Sequence, residues 1–148
     1  MIFKPFAIMG LFAAFAAGGT IISPTSGSYA IAGQPIPFNY SNTNRCHAID
    51  SPITVYLLDA PPAHSDITDH GEFTNFLYFF GRFSIPNFGL PPMTDPPPPP
   101  PTLTIPNLGP SVPNGELFFS VIETIHNCPP DGHDEFDLSY VPIEYYAA

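Results

Sequence analysis

The stretch TIHNCPPDGHDEFDLSY, residues 124–140, gathers two histidines, one cysteine and four acids. On a strand, His126 and Cys128 share a face, because side chains two apart point the same way. His47 adjoins Cys46. A Cys46–Cys128 bridge would bring His47 and His126 to one end of a domain, with Asp131 and His133 in the following hairpin loop. Two imidazoles with a carboxylate suit zinc or copper, which accept nitrogen and oxygen ligands. The plainer alternative is a set of solvent-facing loop histidines. Asp131, Asp134, Glu135 and Asp137 could offer oxygens to calcium, but their spacing is not that of an EF-hand loop. They also read as the solvated tip of a hairpin. A third polar cluster, His64, Asp66, Asp69, His70 and Glu72 in PPAHSDITDHGEF, could supply ligands or an acid–base pair. Pro61, Pro62 and Gly71 mark that segment as a loop.

Catalytic frames find little support. No Gly-x-Ser-x-Gly elbow occurs. Assigning both cysteines to a bridge removes the thiol nucleophile. The acids offer many pairs, but none in a recognisable glycosidase frame. The expectation is a protein that is not an enzyme and that uses no cofactor.

FTNFLYFFGRF, residues 73–83, is more informative. Strand alternation puts Phe76, Tyr78 and Phe80 on one face and Leu77 and Phe79 on the other. A strand needs only one buried face. The surplus face must be covered, with the proline-rich connection as the expected cover, or remain open to a glycan, a lipid or a second copy.

The elements that must position these residues are strands. The chain has 148 residues, which fits one domain. All but one of its 22 prolines lie beyond Pro5, and proline at that density excludes long helices. Short alternating runs take their place: Ile36, Phe38 and Tyr40; Ile53, Val55 and Leu57; Leu103 and Ile105; Leu117, Phe119, Val121 and Ile125, interrupted by Glu123. With a first strand around residues 20–31, a middle one around 76–85 and a last one bulged near Tyr140 to Pro142, about seven strands result. This pattern predicts an all-β, immunoglobulin-like or fibronectin-like antiparallel β-sandwich over residues 20–148. The absence of tryptophan departs from antibody domains. Residues 91–101 form a proline-rich connection, and six consecutive prolines there make a stiff rod of about 19 Å.

Residues 1–19, MIFKPFAIMGLFAAFAAGG, read as a secretory signal peptide: Lys4, then an apolar run too short to span a bilayer, then small residues suited to cleavage. Ala14 with Ala16 fits the small-x-small rule, and Gly18 or Gly19 could also precede the cut. No membrane anchor is expected after cleavage. Loss of Lys4 leaves Arg45 and Arg82 against 13 acids. Such a chain repels phosphate backbones and anionic lipid surfaces, so nucleic acid is not an expected partner. In a secreted chain the pair Cys46 and Cys128 is expected as a disulfide. Asn39-Tyr40-Ser41 is a glycosylation acceptor, and alternation puts Asn39 on the solvent face.

The run ISPTSGSYAIAGQPIPFNYS, through Pro24, Thr25, Ser26, Gly27, Gly33, Gln34 and Ile36, resembles a pattern of small secreted fungal proteins. It is similar to the immunoglobulin-like N-terminal domain of the KRE/KNH family of beta-1,6-glucan assembly proteins. The resemblance implies an extracellular or cell-wall setting and carries over no catalytic residue. The combined expectation is a secreted structural or adhesive protein, whose partner is cell-wall polysaccharide or another protein. The alternatives are a carbohydrate- or apolar-ligand-binding module using Phe76, Tyr78 and Phe80, and a metal-binding protein using His47, His126, His133 and Asp131.

Overall fold

The computed structural model describes residues 18–148. The expected leader, apart from Gly18 and Gly19, lies outside the described residues. The described residues are all-β, as their alternating runs require. Its strands are β1 (Thr20–Ser23), β2 (Ser28–Ile31), β3 (Pro35–Pro37), β4 (Asn39–Ser41), β5 (Asp50–Leu58), β6 (Tyr78–Pro86), β7 (Thr102–Thr104), β8 (Gly115–Cys128) and β9 (His133–Tyr146). A 3-10 turn, His64–Asp66, interrupts the loop before β6.

Among the described residues, nine strands therefore stand where about seven were expected. The first expected strand divides at the turn that holds Gly27, and the PIPFNYS run divides between β3 and β4. A mixed five-stranded sheet runs in the order β2-β9-β8-β5-β6, and two-stranded sheets join β1 to β4 and β3 to β7. The pairing is not wholly antiparallel. β2 lies parallel to β9, with Ser28 opposite Ile143 and Ile31 opposite Tyr146. No register shift marks Tyr140 to Pro142, where a bulge or bend was expected. Pro142 stays opposite Phe118, and its carbonyl accepts the Gly27 amide at 2.8 Å. The shift in this ribbon comes at its far end, between Ile125 and Cys128.

One apolar core draws on all three sheets. Ile21, Ile36, Phe38, Tyr40 and Leu103 from the small sheets meet Ile53, Val55, Leu57, Leu117, Phe119, Val121, Ile143 and Tyr145 from the large one. Alternation explains this membership, since every second residue of each strand turns inward. Burying a side chain of this size contributes about 1.5–3 kcal/mol relative to leaving it exposed.

The proline run joins two edges of this core. The Ser84 amide donates to the Pro97 carbonyl and the Phe38 amide to the Pro101 carbonyl, both at 2.9 Å. Proline lacks a donor but keeps its acceptor, so the rod serves strand amides without becoming a strand. On the outer face of the large sheet, Ile67 and Phe73 from the loop of residues 59–77 pack on Tyr56, Leu58 and Ile122, whereas Phe76 and Phe79 stay exposed.

Candidate functional site

Two regions carry the residues singled out by the sequence: the disulfide corner and the outer face of the five-stranded sheet. At the corner, Cys46 and Cys128 are bonded, with Cα atoms 4.9 Å apart. The bridge ties the loop after β4 to the end of β8, and Cys128 is fully buried. Beside it, Arg45 donates to Glu135 at 2.5 Å and also pairs with Asp137. Burial opposes the guanidinium charge, but hydrogen bonds to Glu135 and Asp137 prevail and raise its pKa. The same contact with Arg45, followed by one with His133, lowers the pKa of Glu135.

The expected metal set does not form. His126 Nδ1 bonds Asp134 at 2.7 Å, whereas His133 bonds Asp131 at 2.5 Å and Glu135 at 3.1 Å. Asp134 and Glu135 are consecutive on β9, so they point to opposite faces. The two histidines are thereby sent to opposite sides of one ribbon. His47 is exposed on a left-handed turn, φ 57°, and its amide donates to the Asn44 carbonyl. Among the described residues, the set of three ligand atoms within 4.8 Å of one another is Cys46, Cys128 and Glu135. Its two sulfurs are bonded to each other and have no thiolate to offer a metal.

On the outer face, Asp69, His70, Glu72, Arg82, His126 and Asp134 share an open cleft of about 560 Å³. Glu72 and Arg82 pair across it at 2.6 Å. The other members of the loop cluster serve the loop itself. His64 bonds the Phe136 carbonyl at 2.7 Å, and Asp66 accepts the Ala63 amide at 2.7 Å.

The expected trio Phe76, Tyr78 and Phe80 is divided. Phe76 precedes β6 and stacks with Tyr56 and Phe79 on the outer face, with ring centroids 5.4 and 6.3 Å away. Tyr78 and Phe80 pair with each other, and Phe80 packs on Phe119 inside the core. Strict alternation starts only at Tyr78, and a register shift opposite Val55 and Tyr56 leaves Phe80 as an extra residue. Both irregularities lie beyond a period-two reading.

Sequence reasoning missed the rest of the outer face. Tyr29 and Tyr146 stack at 5.8 Å across the parallel pair, and Tyr140 meets Phe118 edge-on at 6.0 Å. Tyr29 is 71% exposed, and Phe76, Phe79, Tyr140 and Tyr146 are exposed with it. The signal was present in the alternation of SYAI and of LSYVPIEYY, but pairing β2 with β9 required the fold. Asn39 is exposed on β4, with its neighbours Phe38 and Tyr40 turned inward. No family model, curated protein or solved structure matches the chain.

Proposed function

We propose that this chain is a secreted, non-catalytic immunoglobulin-like sandwich of the extracellular surface or cell wall, of fungal origin, and glycosylated at Asn39. It acts by adhesion to a neutral polysaccharide. The sheet order supports the fold reading. The reading draws on β1 pairing antiparallel with β4 in one sheet while β2 runs parallel to the last strand in the other, beside β8 and β5. The disulfide is compatible with secretion.

The observation that carries the adhesive reading is the open aromatic face. Tyr29, Tyr146, Tyr140, Phe79 and Phe76 stand exposed on one side of a sheet whose opposite side is packed solid. Rings on a rigid sheet present flat apolar surface at little cost in side-chain entropy, and the tyrosine hydroxyls add polar handles. With a formal charge of −10, the chain repels anionic polymers, so an uncharged glucan or chitin fits best. The test is sedimentation with insoluble chitin and β-glucans. Wild type should pellet with at least one polymer, and Tyr29→Ser/Tyr140→Ser/Tyr146→Ser should stay in solution while melting normally. Failure of the wild type to bind any polymer overturns the adhesive reading.

A further inference from the structure

The disulfide corner buries a carboxylate that has no counter-ion among the described residues. Glu123 is 0% exposed. Its oxygens accept from Tyr40 Oη at 2.9 Å, the Thr43 amide at 3.1 and 3.3 Å, Thr43 Oγ1 at 3.3 Å and the Asn44 amide at 3.4 Å. Asp137, pointing to the same face, shares Arg45 with Glu135. The one guanidinium at this corner thus serves Glu135 and Asp137, and Glu123 is left without a cation. Burying an unpaired carboxylate is costly even when hydrogen bonds reach it.

The glycine pair at the start of the described chain runs against this group. Ser139 Oγ donates to the Gly19 carbonyl at 2.5 Å, and Thr20 pairs with Ser41. A Cβ placed on Gly19 would fall 1.8 Å from Tyr40 Oη and 2.6 Å from Glu123 Oε2, and one on Gly18 would fall 3.6 Å from Asp137 Oδ2. The backbone of the two glycines therefore passes both acids, and at Gly19 it leaves no room for a side chain. In the sequence, Ala16 and Gly18 form a second small-x-small pair beside Ala14 and Ala16, one that suits a leader-removing cut after Gly18.

We propose that hydrolysis of the Gly18–Gly19 bond creates the missing cation: the new α-ammonium of Gly19 is the counter-ion of Glu123 and Asp137. The inference rests on the secreted reading. One water is consumed. Gly18 leaves with the leader as a carboxylate, and the Gly19 nitrogen takes up protons to become an ammonium at neutral pH, since a free α-amine titrates near ~8. Removal of the leader then completes the electrostatics of the corner, so the processed chain is more stable than any form whose Gly19 nitrogen remains an amide.

The full chain is secreted from a eukaryotic host and its terminus sequenced. A start at Gly19 supports the proposal. A start at Met1 overturns the leader reading itself, and a start at any other residue overturns the ammonium assignment while leaving secretion intact. Thermal melts then compare the Gly19 form with the same chain acetylated at its α-amine. Blocking should lower Tm by about 5 °C, and the difference should vanish in Glu123→Gln/Asp137→Asn. Equal melts of the two wild-type forms, or a difference that survives the double substitution, overturn the pairing. Should the double variant not fold, titration of a 15N-labelled Gly19 amine decides. A pKa above that of a free α-amine supports the pairing, and an ordinary one overturns it.

Discussion

The two faces of the five-stranded sheet use the same residue types and end differently. On the inner face, Val55, Leu57, Phe119, Val121, Ile143 and Tyr145 are completely enclosed by the small sheets. On the outer face, Tyr56 and Ile122 are enclosed by the loop of residues 59–77, but Phe79, Tyr140 and Tyr146 are not. Exposure there is decided by where a loop of limited length can reach. An exposed apolar ring is thus informative only relative to its cover. On this sheet the uncovered rings trace the boundary of one loop.

The comparison breaks most readily at the shared corner. Cys46→Ser/Cys128→Ser opens a closed loop of about 80 residues and should cost about 4–5 kcal/mol by loop-closure reasoning. Denaturant melts check this, and a loss below 1 kcal/mol would show that packing alone holds the two layers. Next comes a direct contrast between the faces. Phe119→Ala should destabilise by about 3–5 kcal/mol, whereas Tyr140→Ser should stay within about 0.5 kcal/mol. Similar losses for the two would mean that the outer face is covered in solution.

The smallest effect is on pH dependence, and it belongs to the corner alone. Hydrogen bonds to Asp131 and then Glu135 raise the His133 pKa above its ordinary 6.5. The stability this adds is complete below 6.5 and is lost as pH rises through the raised value. The pKa of Asp131 is lowered from 3.8 by His133, and that of Glu135 from 4.5 by Arg45 and then His133. Their contributions are present above those ordinary values and are lost as pH falls through the lowered ones. Melts across pH should show a slight alkaline decline that disappears in His133→Asn and is unchanged in Tyr140→Ser.

Much of the fold was legible where strands are regular. Ile36, Phe38 and Tyr40, and Ile53, Val55 and Leu57, are all buried as their alternation requires. Glu123 looked like a fault in the β8 pattern. It keeps the inward phase and is buried because Tyr40 and the Thr43 amide serve it. Alternation names the face of a residue but not the donors waiting there. The metal set failed for a related reason. Proximity along the chain at His126 and His133 became separation across a ribbon, because consecutive acids on β9 drew them to opposite sides.

The sequence by itself determined the β class, the inward and outward residues of each regular strand, the acidic charge, and a cysteine pair able to close on itself. These follow from local rules: period two, proline's missing donor and the counting of charges. Only the tertiary structure decided that the first strand divides between two sheets, that an extra Phe80 turns into the core while Phe76 stays outside, and that a glycine pair meets a buried carboxylate. Each of these is a contact between segments distant in the chain, and no local spacing encodes which distant segment arrives.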